Sequence, residues 1–388
     1  MRLTAIPPSN PAALIQALEH RGISAIEASN TALGLTPTCF IVEDIDGEAS
    51  DLLLRAAHSN SVDALSGDGW ILLSGAVARL AGAVRPGHSD LPDDLAESLG
   101  AALRAAHERP SRWSIRDIDV ELNSPIVVGI LNVTPDSFSD GGKWLDPTAA
   151  LEHADLMIRH GAAMIDVGAE STRPGTAERL SPEREWERLD PILGELLAAH
   201  PQIPLSLDTV NAVTAERGLA LGVAAINDVS GLRLDPELAA VCAGYDAGLI
   251  LMHSRGGFSE MASYAHAQYD EIAAEVAGEL AEAVARAVES GVRRDRIVID
   301  PGLGFSKTPE QNWKVMRDLG VVAGLGLPVM VGPSRKRFLG WVTGSSAEHR
   351  DEETAAACVV ACERGASLFR VHEVQSTRQA LDIAEAAG

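Results

Sequence analysis

Lysine is almost missing from this chain. Four lysines (Lys143, Lys307, Lys314 and Lys336) serve 388 residues, and arginine supplies the rest of the positive charge. Lys+Arg total 32 against 55 Asp+Glu, a formal net charge of −23. That balance argues against nucleic acid as a partner, because no general electrostatic grip on phosphates is available. An anionic substrate must instead be held by a local cluster, against the overall field. Where arginine is so strongly preferred, a retained lysine points to a role that a guanidinium cannot fill. Lys307 and Lys336 both stand in loops containing Gly or Ser.

Cysteine is also scarce. Cys39, Cys242, Cys358 and Cys362 form no CxxC pair, and no further Cys or His lies near Cys358 and Cys362 at metal-ligand spacing. They read as free thiols in a reducing compartment, so a cytoplasmic location is expected. No apolar run reaches the length of a membrane span, and no membrane partner is expected. The first residues carry prolines and no long apolar core, so no signal peptide is expected.

What is present is a repeated pattern. The stretch 126–142 reads IVVGILNVTPDSFSDGG. Its opening apolar run predicts a strand buried on both faces, as in a parallel sheet, followed by a polar loop at the carboxyl end where α/β folds bind ligands. Seven more such strands are predicted, at 164–167, 204–207, 224–226, 249–252, 297–299, 328–331 and 368–371. Helix-length segments rich in Ala, Leu and Glu separate them, among them 149–160, 182–199, 212–221, 269–290 and 309–319. Eight strand–helix repeats in this length predict an α/β fold, a (β/α)8 TIM barrel, over 121–388.

Residues 1–120 read differently. Helices are predicted at 11–20, 48–57 and 95–107, with strands at 38–42 and 70–74. This makes the segment a small N-terminal α/β or α+β domain of unassigned role, without a nucleotide loop, metal spacing or triad. Ser66-Gly67-Asp68-Gly69 is read as a turn rather than a phosphate cradle.

In a barrel the residues just past each strand meet around one mouth. Here these include Asn132 and Asp136, then Asp166 and Glu170 with Arg173, Asp208, Asn227, His253 and Arg255, Asp300, Ser334 to Lys336, and Arg370 with His372. One Asp at a strand end is usually a helix cap. Eight ends in phase are not explained by capping. They also sort by chemistry. Asp208, Asn227, Asp300 and Lys336 can match the donor and acceptor edge of a nitrogen heterocycle. Arg173, Arg370, His372 and Asn132 suit a phosphate or pyrophosphate, with Asn132 and Asp136 as oxygen ligands for Mg2+. One pocket would hold a polar heterocycle beside an oxyanion, which suggests loss or transfer of a phosphorylated group.

From about residue 126 to the C-terminus, ILNVTPDSFSDGG, DVGAESTRPG, SLDT, INDVSGL, DPGLGF, VGPSRK and RVHEV stand in the order found in dihydropteroate synthases, and the chain resembles that family. The resemblance implies a transferase that condenses 6-hydroxymethyl-7,8-dihydropterin pyrophosphate with p-aminobenzoate, giving 7,8-dihydropteroate and pyrophosphate in folate synthesis. It implies a pterin site at Asp208, Asn227, Asp300 and Lys336. It puts the pyrophosphate at Asn132, Arg173, Arg370 and His372, with Mg2+ near Asn132 and Asp136. Phe138, Thr172, Pro174, Phe305, Ser334 and Arg335 would surround p-aminobenzoate. Catalysis would rest on Asp208, Asp300, Lys336, Arg370 and His372, with no protein nucleophile. A homodimer and inhibition by sulfonamides, which imitate p-aminobenzoate, are implied too. Drug-resistant members of the family can carry an insertion near the Phe305 loop, and Leu303-Gly304-Phe305-Ser306-Lys307 shows none.

Some positions depart from the family pattern. Ser254 stands where Met is common, Ser306-Lys307 where Gly-Lys is common, and Glu373 where Asp is commoner. Ser254 would remove an apolar contact from the pterin face. Rival readings are a methyltetrahydrofolate-type methyltransferase, which shares the pterin set without needing the pyrophosphate group, and a catalytically silent pterin-binding scaffold.

Overall fold

The computed structural model describes residues 37–43, 45–67, 69–87, 91–107, 109–133, 147–170 and 179–387. The chain divides into two compact units, Met1–Glu108 and Arg109–Ala387.

The first unit holds strands β1 (Pro37–Glu43), β2 (Asp63–Gly67) and β3 (Trp70–Ala76) in an antiparallel sheet of order β1-β3-β2. Helices α1 (Gly47–Ser59), α2 (Val77–Ala83) and α3 (Asp93–His107) accompany it. Asp46 starts α1 by accepting a 2.8 Å bond from the Ala49 amide. Leu53, Ile71, Leu73, Leu80 and Leu103 form the core. The predicted helix at 11–20 lies outside the described residues. Strand β2 was not legible in the sequence, because DALSG is exposed along its whole length and shows no apolar alternation.

The second unit opens with a hairpin, β4 (Arg112–Ile115) paired with β5 (Ile118–Glu121). The sequence reading set this hairpin on the extension side of a division near residue 120. It belongs to the barrel unit, because Trp113 and Ile115 are fully buried in one apolar cluster with Val128, Ile250, Val298 and Leu368 of the barrel strands. The Trp113 indole Nε1 donates to the Arg296 carbonyl at 2.9 Å. Truncating a buried Trp of this kind costs about 3–5 kcal/mol.

Eight parallel strands follow: β6 (Ile126–Asn132), β7 (Met164–Gly168), β8 (Leu205–Asp208), β9 (Ala225–Asp228), β10 (Gly248–Met252), β11 (Ile297–Asp300), β12 (Met330–Val331) and β13 (Leu368–Val371). They bond in the order β11-β10-β9-β8-β7-β6-β13-β12, and a parallel bridge between Ile299 and Val329 brings the two ends together. The intervening helices are α4 (Pro147–Arg159), α5 (Pro182–Ala199), α6 (Ala212–Leu221), α7 (Glu237–Gly244), α8 (Ile272–Glu289), α9 (Pro309–Arg317), α10 (Leu319–Ala323), α11 (Arg337–Thr343), α12 (Asp351–Glu363) and α13 (Val374–Ala387). This is the expected (β/α)8 barrel, strand for strand. None of the described helices is long and apolar enough to cross a membrane.

The period of two along a strand positions the site. Val127, Ile165, Leu205, Leu249, Ile297 and Phe369 pack outward in the large core cluster. Their neighbours Val128, Met164, Ile250, Val298 and Leu368 pack in the barrel interior with Trp113. Two residues beyond the interior position comes the next inward side chain. That residue is Asp166 on β7, Asn227 on β9 (after Ala225), Met252 on β10, Asp300 on β11 and Arg370 on β13. A polar layer therefore sits above an apolar one, at the carboxyl ends of the strands.

Candidate active site

The centre of this layer is a network of two carboxylates, an amide and one arginine. Asp166, 1% exposed, accepts from Ser206 Oγ at 2.6 Å, from Asn227 Nδ2 at 3.1 Å and from Arg370 Nε at 2.5 Å. Arg370 Nη2 also donates to Asp208 Oδ2 at 2.7 Å. Burial raises the Asp208 carboxyl to about 7, with the Arg370 guanidinium pulling it down and Asp166 adding to the rise. Burial also works against the Arg370 charge, but Asp166 and Asp208 overcome it and hold that charge more firmly than usual. Asn227 spends its amide nitrogen on Asp166, which leaves Oδ1 buried with no hydrogen-bond partner among the described residues. A buried acceptor without a donor is costly unless a ligand supplies one.

A tight turn after β11 carries the second half. Asp300 Oδ1 accepts from the Gly302 amide at 2.7 Å, and the Phe305 amide donates to the Gly302 carbonyl at 3.1 Å. Gly302 (φ +67°) and Gly304 (φ +83°) take left-handed conformations. A Cβ on Gly302 would meet the His253 carbonyl oxygen at 1.9 Å, and one on Gly304 would meet Lys336 Cδ at 2.6 Å. Lys336 can therefore lie across the turn. Its Nζ donates to the Leu303 carbonyl and sits 4.4 Å from the Phe305 ring centroid. Burial draws the Lys336 pKa down to about 8, with Asp300 opposing. Burial raises that of Asp300, with Lys336 opposing.

Behind the turn, Lys307 Nζ lies 2.9 Å from His253 Nδ1, and His253 Nε2 lies 3.0 Å from Glu279 Oε2. Arg255 donates from Nε to Glu279 Oε1 at 2.9 Å and from Nη2 to Glu275 Oε2 at 2.8 Å.

After β12 and β13, Ser334 Oγ is 2.9 Å from His372 Nδ1 and accepts from the His372 amide at 3.1 Å. Arg335, expected beside p-aminobenzoate, pairs with Asp351 through two of its three guanidinium nitrogens. Its Nε and Nη2 donate to the two oxygens of Asp351 on α12 at 2.7 and 2.8 Å. Its backbone is left-handed (φ +57°), with its amide on Thr354 Oγ1 at 3.1 Å and its carbonyl on Arg350 Nη1 at 3.1 Å.

The structure thus brings Asp208, Asn227 and Arg370 into one network and Asp300, Phe305 and Lys336 around one turn. Asp136, Phe138, Thr172, Arg173 and Pro174 lie outside the described residues. Asn132 ends β6, and a Cβ on Gly168 would meet Asp208 Cβ at 3.2 Å and Asn132 Oδ1 at 3.7 Å, so these two side chains converge. Ser254, expected to cost an apolar contact, takes polar partners. Ser254 Oγ donates to the Val229 carbonyl and accepts from Arg233 Nη2, both at 2.8 Å. Met252 is the residue that packs with Phe305, Val229 and Met261. The sequence placed Asp166 at the mouth and Lys307 in the loop after the sixth strand but gave neither to the heterocycle or the oxyanion set. The position of Asp166, two residues past inward-facing Met164, is the signal that could have placed it.

Residues 128–372 match the family described as "Pterin binding enzyme". The dihydropteroate synthase of Bacillus subtilis is 40% identical over 269 residues, which cover 69% of this chain and 88% of that one. Among solved structures, the Xanthomonas albilineans dihydropteroate synthase with 4-aminobenzoic acid is 37% identical at a TM-score of 0.66. That match covers 71% of this chain and 98% of the other. The Yersinia pestis dihydropteroate synthase with a sulfonamide drug is 34% identical at a TM-score of 0.66, with the same coverage.

Proposed function

The chain belongs to the dihydropteroate synthase family, and from that premise we propose how its residues divide the work of the reaction. The enzyme is a transferase of folate synthesis, condensing 6-hydroxymethyl-7,8-dihydropterin pyrophosphate with p-aminobenzoate. The observation that carries the assignment is the buried acceptor Asn227 Oδ1, left without a donor among the described residues and standing beside Asp208 and Arg370. A pterin ring offers the N–H groups that this acceptor and the Asp208 and Asp300 carboxylates call for, and a ring carbonyl or nitrogen for Lys336.

The C–O bond at the pterin methylene breaks and pyrophosphate leaves with the bonding pair. The resulting cation spreads into the ring, where Asp300 and Asp208 stabilise it in a poorly solvated site. The p-aminobenzoate nitrogen then forms the C–N bond and gives up a proton. No protein nucleophile is required. Arg370 uses Nε and Nη2 on the two carboxylates and keeps Nη1 for the departing pyrophosphate, with Arg173, Asn132 and the Ser334–His372 pair beside it. Phe305, Ser334 and Arg335 would receive the p-aminobenzoate ring, and the family's motifs add Phe138, Thr172 and Pro174.

The amide oxygen of Asn132, a hard donor converging with the Asp208 side chain, fits Mg2+, which Asn132 would hold with Asp136. When bound, Mg2+ neutralises charge on the pyrophosphate. A homodimer, a cytoplasmic location and sulfonamide binding complete the proposal.

The test is dihydropteroate and pyrophosphate formation from the two substrates by the wild type and by Asn227→Ala. Turnover dependent on p-aminobenzoate, with pterin affinity reduced in the variant, supports the division. Unchanged pterin affinity in Asn227→Ala would refute it.

A further inference from the structure

A fully buried lysine is uncommon and needs a partner for each of its protons. Lys307 is 0% exposed. Its Nζ lies 2.9 Å from His253 Nδ1, 3.1 Å from the Phe305 carbonyl and 3.2 Å from the Gly302 carbonyl. Three N–H donors meet three acceptors. An ammonium only donates, so His253 Nδ1 accepts. The imidazole proton then sits on Nε2 and is donated to Glu279 Oε2 at 3.0 Å. The line runs from an enclosed ammonium to a carboxylate that is 36% exposed.

Both carbonyls belong to the turn that carries Phe305 and follows Asp300. Lys336 holds the same turn at its middle, through the Leu303 carbonyl, and crosses the Phe305 ring. The Gly304 amide is fixed to Asn312 Oδ1 at 2.6 Å. Lys307 anchors the first and last carbonyls of this turn.

We propose that Lys307 is a positioning residue for the condensation. Its ammonium fixes the 302–305 turn, and through it the Phe305 ring, in the geometry that receives p-aminobenzoate. This rests on the reading of Phe305 as facing p-aminobenzoate. Lys307 itself is enclosed and touches neither substrate. Burial draws its pKa down to about 7, with the Asp300 charge opposing. A compact ammonium suits acceptors that converge on one point, whereas a planar guanidinium does not. That accounts for a lysine kept in a chain that otherwise uses arginine.

The experiment measures kcat and the KM for each substrate in the wild type, Lys307→Met, Lys307→Arg, Glu279→Gln and Phe305→Ala, with folding checked by circular dichroism and thermal melting. Lys307→Met is expected to raise the KM for p-aminobenzoate about tenfold or more and leave the KM for the pterin pyrophosphate within about threefold. Lys307→Arg is expected not to restore it. Glu279→Gln, which loosens the hold on His253, is expected to raise the same KM by roughly two- to fivefold. A folded Lys307→Met enzyme with neither KM changed, or with both raised equally, overturns the proposal. Should that variant not fold, an unchanged p-aminobenzoate KM in Glu279→Gln overturns it instead. An unchanged p-aminobenzoate KM in Phe305→Ala refutes the placement of Phe305. A raised KM in Phe305→Ala, with none in the Lys307 or Glu279 variants, refutes only the positioning role.

Discussion

Arg370 and Asp208 are joined by a 2.7 Å hydrogen bond, although one was read as a pyrophosphate ligand and the other as a pterin ligand. The same guanidinium reaches Asp166 from Nε at 2.5 Å. On the proposed roles the two half-sites share one cation, and loss of the pyrophosphate would be electrically connected to the carboxylates set to stabilise the pterin cation. Arg370→Lys keeps a charge but cannot span both carboxylates. It is expected to lower kcat by about a hundredfold and raise the KM for the pterin pyrophosphate. Arg370→Ala leaves buried carboxylates unpaired and is expected to lose roughly 3 kcal/mol of stability. Steady-state kinetics and denaturant titration check both. An Arg370→Lys enzyme of normal kcat would contradict the shared-cation reading.

Asp300 should act mainly in the transition state. Asp300→Asn retains the shape and removes the charge, so kcat is expected to fall by about 10²–10³ while the KM for p-aminobenzoate changes little. Pterin binding, measured directly by calorimetry, should weaken less than kcat. Equal losses would assign Asp300 to uniform binding instead.

Arg335 and Asp351 form a bidentate pair, so the two residues should behave as one unit. Arg335→Gln and Asp351→Asn are each expected to lower kcat/KM by about tenfold, and the double variant should fall no further than the worse single. Were Asp351→Asn silent while Arg335→Gln raised the p-aminobenzoate KM, Arg335 would be a substrate contact after all.

His253 makes stability depend on pH. Burial lowers its pKa to about 4, with the nearby Lys307 charge acting the same way. The unfolded chain takes up this proton near pH 6.5 and the folded chain only near 4, so the unfolded state binds more protons between them. Stability present above pH 6.5 is lost as pH falls to 4, by at most about 3 kcal/mol from this residue. Glu279 adds to the trend at lower pH. Partial burial works against its ionisation, but the hydrogen bonds from His253 and Arg255 bring it to about 2. The Asp208 carboxyl, raised to about 7, works the other way over this range, so the His253 share is read as a difference: between pH 6.5 and 4 the wild type should lose more melting temperature than His253→Gln. Identical slopes in the two proteins would remove His253 as the cause.

The 303–307 stretch carries no insertion, and Phe305 is buried against Met252 and Met261. A sulfonamide is expected to inhibit competitively with p-aminobenzoate, and raising p-aminobenzoate about tenfold should relieve most of the inhibition. Inhibition indifferent to p-aminobenzoate concentration would place the drug elsewhere.

The barrel and the ring of polar strand ends were legible in the sequence because both depend on local pattern. Apolar runs of strand length mark β6 to β13, and a period of two puts Asp166, Asn227, Asp300 and Arg370 in phase with the inward residues before them. The ordered motifs then named the chemistry. Which of these groups touch could not be read this way. Arg370 meets partners 162 and 204 residues away, and only closure of the sheet into a barrel brings those strands together. Direction is likewise tertiary. Arg335 and Lys336 are neighbours in one motif, yet a left-handed backbone at Arg335 sends its guanidinium to Asp351 while Lys336 crosses the turn to Leu303. Lys307 stood out in the sequence only as a rare residue. Its role came from burial, because an enclosed ammonium must find three acceptors, and two of those it finds are carbonyls of the 302–305 turn while the third is His253 Nδ1.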